Sequence, residues 1–123
     1  MPGLHAIEIK AFVPARDYEL SRRFYADAGF EERSESDGIA YFALDDCSFL
    51  LQRFYQKVHA DNFMMHLLVD DADAWHRRLV DVAARYRDHG VRVTAPADRP
   101  WRIRDFQLID PSGVLWRIGH NIR

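Results

Sequence analysis

VPARDYELSRRFY at residues 13–25 has an echo in VDDADAWHRRLV at residues 69–80. In the first, Asp17 is placed to cap a helix, with Leu20, Phe24 and Ala28 following at helical spacing. Gly29 suits the end of that helix. In the second, Asp71 takes the capping place. Ala72, Trp75, Leu79, Val82, Ala83 and Tyr86 form the apolar stripe, and Gly90 ends it. A further echo joins YFALDDCSFLLQ at 41–52 to DFQLIDPSGVLWR at 105–117. Repeats of this kind fix architecture before any single residue does.

The segments around these echoes read as strands. Residues 4–13, LHAIEIKAFV, alternate with a period of two. Ile7, Ile9, Ala11 and Val13 fall on one face; Glu8, Lys10 and Phe12 fall on the other. Residues 30–35, 39–44 and 48–54 follow as three strands, separated by turn signals at Asp37-Gly38 and Asp45-Asp46. The order then starts again. Residues 62–69 read as a strand with Met64, His66 and Leu68 on one face. Residues 91–94, 104–109 and 114–119 complete the set, with Asp110-Pro111-Ser112-Gly113 as the last turn. The fold class is α+β: two tandem βαβββ modules, 1–60 and 61–123, within a single domain. Each half has a sheet with one face under a helix, and the other face must curl around a partner sheet or a ligand.

Composition bounds the function classes. The chain has 123 residues, 48% of them hydrophobic and 29% charged, which suits one globular domain. Lys and Arg number 17 against 19 Asp and Glu, so net charge gives no reason to expect nucleic-acid binding. The single cysteine, Cys47, excludes an intrachain disulfide and a two-cysteine zinc knuckle. No apolar run approaches the roughly 20 residues of a membrane helix. Met1-Pro2-Gly3-Leu4-His5 lacks the features of a signal peptide. The expectation is a cytoplasmic protein with no membrane and no nucleic-acid partner.

Three stretches carry a family resemblance across essentially the whole chain: VPARD with RRFYADAGF, HLLVDDADAW, and IDPSGVLWRIG. Together they resemble the vicinal oxygen chelate superfamily, also called the glyoxalase/bleomycin resistance/dioxygenase family. The resemblance implies paired βαβββ modules with open, curved, mixed sheets and helices on the convex side, whose concave faces form the site. It also implies a homodimer, since single-domain-length members commonly share each cavity between two chains. It does not fix the function, because the family holds metal-dependent lyases, isomerases, thiol transferases and extradiol dioxygenases beside metal-free drug binders.

In metal-dependent members the resemblance places ligands at inward positions of the central strands. Here those positions are Lys10, Gln52, Met64 and Arg117. A divalent ion needs several lone-pair donors at about 2.0–2.2 Å. Arginine offers donors only, lysine must first lose its proton, and methionine suits soft ions. Only Gln52 fits. The expectation is therefore no metal and no cofactor. A displaced site at Glu8 and His66 has two ligands, too few for the usual arrangement, and His66 reads more simply as a cavity-wall residue.

By alternation the concave face holds Glu8, Lys10, Phe12, Leu50, Gln52, Phe54, Met64, His66, Leu68, Leu115 and Arg117. That is an apolar cleft with a few polar groups, the usual composition of a small-molecule site. Phe12, Phe54, Tyr55 and Trp101 suit stacking on a planar ligand. Lys10 and Arg117 suit a carboxylate or phosphate. Two readings of the charges stand side by side: Glu8, Lys10, His66 and Arg117 neutralise one another, or at least one of them holds a ligand. Trp101, in the loop 94–101, reads as a lid or an interface residue. His120 lies outside the strand pattern, and His59, His76 and His89 read as solvated. Cys47 has no histidine near it in sequence and does not read as a nucleophile.

The functional expectation is a metal-free small-molecule binder, similar to bleomycin resistance proteins. Its ligand is planar or amphipathic, and neutral or anionic, because Lys10 and Arg117 would repel a cation. The alternative is a lyase, isomerase or dioxygenase-type enzyme. It would use His66 as general base or a displaced metal site with Glu8. A module that only binds a protein partner is a third class, with nothing in the sequence to favour it.

Overall fold

The computed structural model describes residues 3–123; Met1 and Pro2, where the N-terminal reading begins, lie outside them. The elements run β1 (Phe12–Pro14), α1 (Tyr18–Ala28), β2 (Glu31–Ser36), β3 (Ile39–Leu44), β4 (Cys47–Gln52), α2 (Lys57–Asp61) and β5 (Met64–Leu68). Then come α3 (Ala72–Arg85), a 3₁₀ turn at Arg87–His89, β6 (Arg92–Val93), β7 (Ala97–Asp98), β8 (Ile103–Ile109) and β9 (Leu115–Asn121). One sheet has the order β1-β4-β3-β2. The other has β5-β9-β8-β6, with β7 also on β8. Each sheet opens with a parallel pair, β1 on β4 and β5 on β9, and is otherwise antiparallel. The repeated strand–helix–strand–strand–strand order is present in both halves.

The caps are those expected. The Asp17 carboxylate accepts from the Leu20 amide at 3.1 Å, and Asp71 does the same for Ala74. Gly29 ends α1 with φ 117°, a left-handed conformation that costs a glycine little. The buried face of α1 carries Leu20, Phe24, Tyr25 and Ala28; that of α3 carries Ala72, Leu79 and Val82. Both helices cover one side of the sheets, the side that bears Phe42, Phe49, Leu51, Phe106, Trp116 and Ile118.

The two sheets meet through that same covered side. Tyr25 of α1 stands at the seam. Its ring lies 4.9 Å from Phe49 and 5.7 Å from Trp116. Its hydroxyl accepts from Trp116 Nε1 at 2.9 Å and donates to Asp110 at 2.5 Å. Asp110 also accepts from the amides of Ser112 and Val114, which closes the β8–β9 turn. Tyr86, just past α3, donates to Asp27 of α1 at 2.5 Å. With the helix-covered sides joined, the opposite faces of both sheets are left open.

Several boundaries differ from expectation. The first strand was expected over 4–13, yet β1 starts at Phe12. The parallel register sets Phe12 beside Leu50, so Lys10 falls beside Ser48 and Glu8 beside Asp46. Asp46 is already in the β3–β4 turn, and no strand remains to pair with. Ile7 thus lies past the end of β4, and Ile9, beside its first residue Cys47, is outside the paired strand; they are 98% and 95% exposed, as an apolar arm that its own chain does not cover. β4 stops at Gln52, so Phe54 lies beyond the alternation that put it on the open face, and it is exposed. The connector after Tyr55 contains α2, and the segment expected as a loop contains β7. His120 belongs to β9, where its Nδ1 accepts from the Ala72 amide at 2.8 Å and caps α3. His76 is half-buried with its ring 5.2 Å from Phe106, rather than solvated.

Candidate functional site

Strand alternation builds the two open faces. On the first sheet the register aligns Phe12, Leu50, Tyr41 and Ser34 in one row. Gln52 and Ile39 form the next row. The core residues Phe42, Phe49 and Leu51 alternate with these and point to the helix side. Phe12 is 46% exposed and Ile39 is also exposed. On this face Glu8 accepts from Lys10 Nζ at 2.6 Å, from Tyr41 at 3.1 Å and from Ser48. Those donors, Lys10 first and then Ser48, hold the Glu8 carboxyl down at about 2. Lys10 also lies 5.2 Å from the Tyr41 ring centre. The charges of the first face are thus paired locally, beneath the arm.

On the second sheet His66 is the register partner of Arg117, which in turn faces Gln107. Leu68, Gly119 and Asp105 form the next row, and Met64, Leu115 and Ile109 the row on the other side. Met64, His66 and Leu68 are exposed. Asp105 is 1% exposed. Its two oxygens accept from Arg99 Nε at 2.7 Å and from Arg117 Nη1 at 3.0 Å. Gly119 makes room for it: a Cβ there would stand 2.7 Å from Asp105 Cβ and 2.8 Å from the Arg104 carbonyl oxygen.

A recess of about 290 Å³ lies between the two sheets, lined by Ser48 of the first open face, by His66 and Leu68 of the second, and by Phe49, Leu67 and Trp116 of the covered side. Cys47 stands at its side. His66 therefore borders the seam between the sheets. Trp101 is exposed in the turn after β7, and Phe54 is exposed beyond β4; neither is brought onto the rows described.

The four positions that the resemblance assigns to metal ligands do not form a donor set. Lys10 is bound to Glu8, Arg117 is bound to Asp105, and Met64 is a thioether on an open surface. Gln52 alone has a suitable oxygen. Glu8 is surrounded by three donors, which leaves it poorly disposed to join His66 in a displaced site. Among the described residues there is no group of three or more His, Cys, Asp or Glu able to hold an ion. These residues do not fit the metal of the lyases and dioxygenases.

Mutual neutralisation of Glu8, Lys10, His66 and Arg117 was one expectation. The structure pairs Glu8 with Lys10 and Arg117 with Asp105, within separate sheets. Sequence reasoning missed Asp105, Arg99, Tyr41 and Ser48. The echo of YFALDD in DFQLID does not reveal them, because the register sets Asp105 in the place of Ile39 and Gln107 in that of Tyr41.

The model of the Glyoxalase/Bleomycin resistance protein/Dioxygenase superfamily matches residues 4–118. No curated protein matches the chain. Among solved structures, a bleomycin-binding protein complexed with bleomycin superposes with a TM-score of 0.80 at 24% identity. The match covers 94% of this chain and 99% of that one. A bleomycin-binding protein from Streptomyces verticillus, complexed with copper(II)-bleomycin, gives 0.74 at 23% identity, covering 97% and 99%. TnmS3, an antibiotic binding protein from Streptomyces sp. CB03234, gives 0.73 at 25% identity, covering 96% and 99%. A family match over nearly the whole length, on a fold of two open-faced βαβββ units, means that this chain belongs to the glyoxalase/bleomycin resistance/dioxygenase superfamily.

Proposed function

We propose that the protein binds a small molecule, without a metal, on the open faces of its two sheets. The observation that carries this reading is the pair of apolar faces: Phe12, Ile39, Met64 and Leu68 are exposed on them, between a few fixed polar groups. Apolar surface beside convergent polar groups is the usual make-up of a ligand site. The antibiotic- and bleomycin-binding relatives support the same class of role. The site residues are Glu8, Lys10, Phe12, Gln52, Met64, His66 and Arg117, with Phe54 and Trp101 at the margins. The ligand is planar or amphipathic, and neutral or anionic. Arg117 and Arg99 share the one carboxylate of Asp105, and that excess of positive charge makes a cationic ligand of the bleomycin kind a poor fit.

The same reading makes the protein a homodimer and treats residues 1–123 as one unit of two modules, 1–60 and 61–123. Leu4, Ile7 and Ile9 project from the first sheet with no cover from their own chain, and a second copy would bury them. A reducing cytoplasm suits the exposed Cys47. No helix among the described residues is long and apolar enough to cross a membrane.

The test combines three measurements. After incubation with Zn, Ni, Mn or Fe(II) salts and desalting, elemental analysis is expected to find less than about a tenth of an equivalent, as three of the four ligand positions lack a suitable donor. Near-stoichiometric metal would overturn the metal-free reading and turn attention to His66 and Glu8. Titration with the neutral fluorophore N-phenyl-1-naphthylamine is expected to saturate, and titration with bleomycin is expected to be much weaker; the reverse order would reject the ligand class. Sedimentation is expected to show a dimer, and a monomer at micromolar concentration would reject the shared site.

A further inference from the structure

We propose that Arg99 and Arg117, held over the buried Asp105, form a seat for the carboxylate of an amphipathic ligand. The inference rests on the reading of the open faces as a small-molecule site, and it deepens that reading by assigning an anionic end to the ligand. Three observations lead to it. First, two guanidiniums share one carboxylate, so one positive charge is left uncompensated on an otherwise apolar face. Asp98, the nearest further acid along the chain, is taken by Arg104 at 3.0 Å. Second, each guanidinium gives one nitrogen to Asp105 and, among the described residues, donates no other hydrogen bond. Their side chains remain 28% and 27% exposed, so neither arginine is closed off from solvent.

Third, the seat is preorganised. Asp105 is fully buried and bound through both oxygens, and Gly119 opposite it leaves the space it occupies. A guanidinium already fixed by a carboxylate loses less freedom when it meets a ligand. Met64 and Leu68, on the neighbouring strand, offer apolar surface to the ligand's body. The first face offers no comparable seat, because its lysine is matched by Glu8.

The test compares 2-naphthoate with 2-naphthamide, a carboxylate and a neutral probe of nearly the same shape, titrated against the full chain by amide NMR. The naphthoate is expected to bind at least about tenfold tighter, the size of one charge-assisted hydrogen bond. Arg117→Gln is expected to bring the two probes within about twofold of each other, chiefly by weakening the naphthoate. Should that variant fail to fold, Arg117→Lys keeps the charge on Asp105 and is expected to lower the preference severalfold. Equal affinities for the two probes, or a naphthoate preference that survives both substitutions, would overturn the seat and leave the small-molecule reading standing. Failure of both probes to bind at the faces would overturn that reading, and the seat with it.

Discussion

The two open faces are built from the same repeat, yet they handle charge in opposite ways. On the first, Glu8 and Lys10 come from an arm outside the sheet and neutralise each other on its surface. On the second, Asp105 is sunk into the sheet and holds two arginines above it. By register Asp105 stands where the first sheet has Ile39, and Arg117 where it has Leu50, so exchanges at matching positions separate an apolar-aromatic surface from a cationic one. Symmetry of fold does not carry symmetry of chemistry. A ligand lying across both faces would meet aromatic surface at one end and positive charge at the other.

The largest predicted effect tests how differently the two carboxylates are used. Asp105→Ala leaves two partly buried guanidiniums without their counter-ion and is expected to cost about 3–5 kcal/mol. For a chain of this size that lowers the Tm by roughly 10 °C or more. A thermal shift of only a degree or two would mean that Asp105 does not hold the arginines together.

A second buried carboxylate sharpens the point. Asp110, at the seam, has neutral partners only: the Tyr25 hydroxyl and the amides of Ser112 and Val114. Burial is the main cause that pushes its carboxyl up to about 6, against the lowering effect of those hydrogen bonds. A raised value in the folded state means a contribution fully present below the ordinary value of 3.8 and lost as pH rises through 6. Relative to Asp110→Asn, the protein is therefore expected to gain about 2 kcal/mol between pH 6 and pH 4. Parallel stability curves for the two proteins across that window would contradict it.

Next comes Gly119→Ala, which tests the space beneath the arginines. The added methyl would meet Asp105 Cβ and the Arg104 carbonyl, and the expected cost is about 1–3 kcal/mol. A variant as stable as the parent would show that the β8–β9 pair yields easily there. The smallest effect belongs to Glu8→Gln. Its carboxylate is exposed on the first face, and its depressed value gives stability that is present above pH 4.5 and lost as pH falls toward 2. At pH 7 its melting temperature is expected to stay close to the parent's, in contrast to Asp105→Ala. A large drop would mean that the arm is anchored as firmly as the arginines.

Much of this architecture is legible in the sequence, because it rests on local signals. Asp17 and Asp71 as caps, Gly29 and the turn after Asp110 are short-range features, and the repeat relates one half to the other. The arm was not legible. Ile7 and Ile9 alternate as a strand would, but alternation carries no information on whether a partner strand extends that far, and β4 ends in its turn first. Phe54 failed for the same reason at the other end of β4. The Asp105 cluster was half legible. Alternation puts Arg117 on the open face, but the carboxylate that holds it lies two residues before its cross-strand neighbour, Gln107, and Arg99 reaches it from a segment that reads as a loop. Side-chain pairing across a sheet depends on register, which the letters alone do not set.

The proposed function requires that ligand bind on the open faces and not elsewhere. The direct measurement is an amide and methyl NMR map of the protein with N-phenyl-1-naphthylamine. Shifts are expected to concentrate at Phe12, Tyr41, Leu50, Met64, His66 and Leu68. Shifts confined to the groove between α3 and β6, lined by Val80, Ala83, Val91 and Val93, would contradict it.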